Sequence, residues 1–154
     1  NLGINFALMS LYDAEGYDLN LMQNDYNIVL DRALESRFKI DLQYEHVYLD
    51  FDDCLLINDK LNLKMVAFIY HCINNGIGVN LLTRHEGDLE ISLRKHRISQ
   101  LFDEVIKIDD RTPKSSFLKK QKAIFIDDSF AERLDVKRKL GIPVFAPDAV
   151  ESLL

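Results

Sequence analysis

From residue 46 onward, short apolar runs alternate with longer stretches whose apolar residues recur at helical spacing. The short runs are His46–Phe51, Val79–Leu82, Glu104–Ile108, Ala123–Ile126 and Val144–Ala146, which have the length and bulk of strands. Between them, Leu61–Asn75 carries Leu63, Val66, Ala67, Tyr70 and Ile73 at helical spacing and closes on Asn74-Asn75-Gly76, a C-terminal stop. Asp88–Arg97 predicts a second helix. Thr112-Pro113 reads as an N-cap followed by proline at the first helical position, opening a third. Ser129-Phe130-Ala131-Glu132 is a capping-box pattern, and it opens a fourth helix that runs to about Leu140, before Gly141. Strands that alternate with helices predict an α/β domain built on a parallel sheet of five strands covered on both faces. Nearly continuous apolar strands fit that double burial.

The first 45 residues break this rhythm. Leu2–Ala14 predicts a helix, Gly16–Asn27 reads as a polar loop, and Ile28–Ile40 has no clean period. They are expected to form an appendage or linker (1–45) ahead of the α/β domain (46–154). The chain opens on Asn1 rather than Met, as expected of a piece cut from a longer polypeptide. No internal repeat or low-complexity tract is present.

Composition narrows the picture. The chain has 154 residues, 47% of them hydrophobic, enough for one domain with a proper core. No apolar run approaches the roughly 20 residues that span a bilayer, and no signal-peptide pattern opens the chain. A net charge of -6 makes nucleic acid a poor electrostatic partner. The basic clusters Arg94-Lys95-His96-Arg97 and Lys119, Lys120 and Lys122 read as solvated helix faces. Cys54 and Cys72 have no metal-ligand spacing, and a reducing cytoplasm is the expected compartment.

The candidate chemistry sits where strands end. Ligands of an open parallel sheet bind outside the carboxyl ends of its strands, where the strand order reverses. The first strand ends in "LDFDD", with Asp50, Asp52 and Asp53; the second in "NLLTRH", with Thr83; the fourth in "IFIDDS", with Asp127 and Asp128. Lys114 opens the third predicted helix. Like charges at one place repel unless a cation joins them. Carboxylates that hold Mg²⁺, beside a hydroxyl and an ammonium, suit the binding of a phosphate.

The series "YLDFDDCL…LLTRH…K…IFIDDS" resembles the four motifs of the haloacid dehalogenase (HAD) superfamily of phosphohydrolases, over roughly residues 46 to 154. A response-regulator receiver uses similar residue types in a different order. The resemblance implies a three-layer Rossmann-like fold and a Mg²⁺-dependent phosphatase. It implies Asp50 as the nucleophile that forms an aspartyl-phosphate. Asp52 is implied as general acid and base, lending its main-chain carbonyl to Mg²⁺. Thr83 would bind the phosphate, Lys114 would offset its charge, and Asp127 and Asp128 would serve the metal. By position, Lys114 is preferred to Lys119, Lys120 and Lys122. Asp53 is expected to serve the turn, Ser129 to cap a helix, and Arg84 and His85 to lie in a solvated loop. Cys54, near three carboxylates, is not expected to ionise.

HAD enzymes often carry a cap domain after the first motif or between the second and third. Here the first gap holds only a short flap, and the second is filled by one helix and one strand. An open site results, for a phosphorylated macromolecule or small molecule, or one capped by a partner. "GINFALMSLYDAEGYDLN…IVLDRALESRF" resembles, less specifically, the tail of ATP-grasp proteins of the carbamoyl-phosphate-synthase large-subunit type, implying an upstream ATP-grasp domain. The competing expectation is therefore an accessory module of such a protein with little turnover of its own. A polynucleotide-end phosphatase is disfavoured by the acidic charge and by the lack of an aromatic-basic groove.

Overall fold

The computed structural model describes residues 6–17, 40–109 and 111–154. The expectations for residues 2–5 and 18–39 lie outside that set. Two units are present, one within Asn1–Ser36 and one within Arg37–Leu154. In the first, helix α1 (Phe6–Ala14) forms inside the stretch predicted helical, and the Tyr12 and Tyr17 rings meet edge to face at 5.7 Å.

The second unit runs β1 (His46–Leu49), β2 (Leu56–Ile57), β3 (Lys60–Leu61), α2 (Leu63–Asn74), β4 (Gly78–Thr83), α3 (Leu89–Lys95), β5 (Glu104–Lys107), β6 (Ala123–Ile126), α4 (Phe130–Leu140) and β7 (Val144–Phe145). Short 3₁₀ turns form at Lys114–Ser116 and Pro147–Leu153. Five strands make one parallel sheet in the order β5-β4-β1-β6-β7, with His46 opposite both Gly78 and Ala123. The chain leaves β1 toward β4 and β5, then returns past β1 to build β6 and β7. The order therefore reverses between β1 and β6, and a crevice opens at their carboxyl ends.

Burial follows the pleat. Val47 and Leu49 of β1 and Ile124 and Ile126 of β6 pack on one face with Met65, Phe68, Ile69 and Cys72 of α2. Tyr48 and Phe125 pack on the other with Val136 of α4. Apolar side chains on both faces give the three-layer α/β architecture. The stretch before β1 also belongs here: the Ile40 amide donates to the Ser152 carbonyl at 2.7 Å, and Leu42 and Tyr44 pack against the core. No helix among the described residues is long and apolar enough to cross a membrane.

Two elements depart from the pattern-based expectation. Helix α2 begins at Leu63, because the Asn62 carboxamide oxygen accepts from the Lys64 and Met65 amides at 3.2 and 3.4 Å. Its buried face is also not the expected one: Leu63 (76%), Tyr70 (50%) and Ile73 (43%) are exposed, while Met65, Phe68, Ile69 and Cys72 are buried. Both sets recur at helical spacing, and contact with the sheet selects one of them. The third predicted helix shrinks to the single turn Lys114–Ser116, with Pro113 before it in extended backbone (φ -63°, ψ 139°). Thr112 does not cap that turn. Its amide and hydroxyl both donate to Asp109 Oδ1, at 3.0 and 3.1 Å, in a local side-chain turn.

Candidate functional site

The six residues given chemical roles (Asp50, Asp52, Thr83, Lys114, Asp127 and Asp128) line one pocket of about 270 Å³ at the reversal point, together with Asp53. Asp50 follows β1, and its amide donates to the Ile126 carbonyl at 3.0 Å. Asp127 follows β6, and its amide donates to the Phe145 carbonyl at 3.2 Å. Sheet pairing thus continues one residue past both strands and delivers two carboxylates side by side. Thr83 ends β4, buried, with its hydroxyl in hydrogen-bonding reach of Asp50.

Lys114 arrives from the one-turn segment after Pro113. Its side chain is buried, with Nζ 2.7 Å from Asp50 Oδ1 and 2.6 Å from Asp127 Oδ2. Lys119, Lys120 and Lys122 are exposed, and Lys122 pairs with Glu45 at 2.6 Å. The expected preference for Lys114 rested on a helical start; the structure reaches the same placement through an irregular turn.

Burial, partly offset by Lys114, raises the Asp50 carboxyl above its ordinary value. The same burial, with Asp50 adding to it and Lys114 opposing, brings Asp127 to about 6. Burial works to lower the Lys114 ammonium pKa, but Asp50 and Asp127 together overcome it, and the net shift is upward. The cluster is under-neutralised: Asp50, Asp127 and Asp128, set against Lys114, leave two negative charges. Oxygens of those three carboxylates lie within 4.8 Å of one another. Asp50 Oδ1 is buried, with the Lys114 ammonium 2.7 Å away. Three carboxylates this close, with a single ammonium among them, fit a divalent cation.

A surrounding ring of residues holds these groups. Arg133 Nη1 donates to the carbonyls of Asp127 and Asp128 at 2.5 and 2.7 Å, and Asp127 Oδ1 accepts the Ser129 amide at 2.8 Å. Ser129 caps α4 as expected, accepting the Glu132 amide at 3.5 Å. Asp53 takes the positive φ of 52° and donates its amide to the Leu56 carbonyl at 2.8 Å, the turn role expected of it. The Cys54 thiol is pushed well up by burial, then by Asp50, Asp127 and Asp128.

The solvated-loop expectation for Arg84 and His85 does not hold. Arg84 pairs with Glu132 at 2.7 Å and donates to the Asp109 and Thr112 carbonyls at 3.3 and 2.8 Å. The His85 side chain, 15% exposed, meets Asp52 through Nδ1 at 2.9 Å and Ser92 Oγ through Nε2 at 3.0 Å. The sequence signal was modest but present: both follow directly on a strand-end threonine, where the chain must still cross the site.

The site is open. Between Phe51 and α2 the chain builds only the β2–β3 hairpin, turning through Asn58 and Asp59 at φ 50° and 59°. Between Thr83 and Lys114 the described residues form only α3 and β5. Asp59 ties the hairpin tip to Lys95 and His96, at 2.5 and 3.1 Å.

No protein-family model and no curated protein matches the chain. A crystal structure of an uncharacterized protein from Corynebacterium glutamicum is similar in fold, with a TM-score of 0.54 at 14% identity, over 68% of this chain and 85% of that one.

Proposed function

We propose that this chain is a Mg²⁺-dependent phosphohydrolase of the HAD type, with an open site and an aspartyl-phosphate intermediate on Asp50. The observation that carries the reading is the buried Lys114 ammonium lodged between two strand-end carboxylates, with a third, Asp128, within 4.8 Å of both. A purely structural ion pair has no use for a second and third carboxylate at the same spot, since each adds desolvation cost. An all-oxygen donor set suits a hard cation such as Mg²⁺ rather than zinc.

Asp50, Asp127, Asp128 and the Asp52 main-chain carbonyl would hold the ion, which when bound supplies the positive charge that lets an anionic nucleophile meet an anionic phosphate. The residues do the rest. Asp50 attacks phosphorus as the bond to the leaving oxygen breaks, and Asp52 donates a proton to that oxygen. Water then attacks the phosphorus of the aspartyl-phosphate; its proton passes to Asp52, and Asp50 and inorganic phosphate are released. Thr83 and Lys114 orient the phosphoryl group and offset its charge, the kind of positioning that phosphoryl transfer depends on.

The test is hydrolysis of p-nitrophenyl phosphate with and without Mg²⁺, by the wild type and by Asp50→Asn. Metal-dependent release that the substitution removes is the expected result. No release above the Asp50→Asn level, on this ester and a wide panel of others, would instead favour an accessory module that binds without turnover.

A further inference from the structure

We infer that His85 is a positioning residue: through one ring N–H it fixes both carboxylate oxygens of Asp52, and so sets the orientation of the group that handles the leaving-group proton. The inference rests on the phosphohydrolase reading above and names a part that reading does not assign.

The geometry is specific. His85 Nδ1 lies 2.9 Å from Asp52 Oδ1 and also 2.9 Å from Oδ2. Once Asp52 has given up its proton its carboxylate only accepts, and in that state Nδ1 carries the hydrogen. In the neutral ring Nε2 is then the acceptor, and Ser92 of α3 donates its hydroxyl to it at 3.0 Å. The partners on its two sides thus decide the tautomer.

The ring is braced on two further sides. It stands edge-on to the fully buried Phe51, with centroids 5.0 Å apart and an interplanar angle of 89°. Its own amide donates to Thr83 Oγ1 at 3.1 Å, which ties it to the strand end that forms the phosphate side of the pocket.

Asp52 needs such a partner. Its side chain is 48% exposed, against 15% for His85. An exposed aspartate samples several rotamers, and a proton donor in the wrong rotamer does nothing. Sheltered Asp50 and Asp127 are held by Lys114 and the strand ends. Among the described residues no lysine or arginine pairs with Asp52; the imidazole takes that place. An imidazole supplies one directed hydrogen, which aligns the carboxylate without the reach and flexibility of a lysine side chain.

The experiment separates this role from mere structural support. The kcat/KM is measured for p-nitrophenyl phosphate, whose nitrophenolate departs without a proton, and for ethyl phosphate, whose alkoxide needs one. General acid catalysis contributes about 10²- to 10⁴-fold, and a small misplacement can forfeit much of it. His85→Ala is expected to lower kcat/KM for ethyl phosphate by about 10²-fold and for p-nitrophenyl phosphate only severalfold. His85→Asn, whose carboxamide nitrogen donates from near the Nδ1 position, should restore part of the loss. In the Asp52→Asn background, His85→Ala should cost nothing more, because its effect runs through Asp52. Equal losses on both esters, or an undiminished His85 effect without the Asp52 carboxylate, would overturn the inference while leaving the phosphohydrolase reading in place. Wild type inactive on both esters, or Asp50→Asn still active, would overturn that reading and the inference with it.

Discussion

At the scale of single residues, the site is a place where folding and chemistry pull in opposite directions. Asp127 is fully buried beside another carboxylate, and its carboxyl titrates at about 6 instead of 3.8. The folded, metal-free protein therefore holds that proton more tightly than the unfolded chain does. Its stability is unaffected well below pH 3.8, declines as pH rises toward about 6, and stays lowered above that. The Lys114 shift has the same sign and acts only at alkaline pH, where stability is lost as pH rises past its raised value. Replacing Asp127 by Asn removes the buried charge. Urea unfolding without divalent cation at pH 7.5 should find Asp127→Asn more stable than wild type by about 1–3 kcal/mol, with the difference vanishing below about pH 4. The proposed phosphatase activity should be lost in the same variant, as expected where a site stores instability for function. A metal-free Asp127→Asn protein less stable than wild type at pH 7.5 would contradict the direction of this shift.

At the scale of elements, helix α2 is the instructive case. It offers two apolar stripes at helical spacing, Leu63-Ala67-Tyr70-Ile73 and Met65-Phe68-Ile69-Cys72, and only the second meets the sheet. Emptying the fully buried Phe68 position opens a cavity in the core between α2 and the sheet. Phe68→Ala should cost about 3–5 kcal/mol in chemical denaturation. Tyr70→Ala, on the exposed stripe, should stay within about 0.5 kcal/mol. Comparable losses from the two would mean that the outer stripe is covered as well. The Lys114 turn makes a related point. Asp109 draws in the amides of Arg111 and Thr112, and Ser115 reaches Asp135 at 2.6 Å, so the segment is positioned by side-chain bonds and not by a helix of its own.

At the scale of the whole molecule, the sheet order places three carboxylates within 4.8 Å of one another with one ammonium between them. A divalent cation that binds this folded arrangement and not the unfolded chain must raise the melting temperature. At a hundredfold excess over Kd the gain is about 2.7 kcal/mol, which is several degrees for a domain of this size. Thermal unfolding with Mg²⁺ should show that rise, a chelator should reverse it, and Asp127→Asn should abolish it. An unchanged melting temperature with Mg²⁺ and with other divalent cations would count against a metal at this position.

Much of this was legible along the chain. Alternating apolar runs and helical periods determine the α/β class, because doubly buried strands have to be apolar on both faces and covering helices on one. The strand-end positions of Asp50, Asp52, Thr83, Asp127 and Asp128 could be read too, since a polar residue directly after a buried strand stands at the sheet's carboxyl edge. What a linear pattern does not contain is phase and long-range partnership. Which stripe of α2 faces inward depends on the sheet it packs against. The two bonds of His85, one to a residue 33 positions away and one across a loop to α3, exist only once β1 and β4 lie side by side. Lys114 was identified from an expected helix that did not form, and is held by the two carboxylates themselves. Local sequence sets each residue's preferences; tertiary contact alone decides which charges, faces and hydrogen bonds meet.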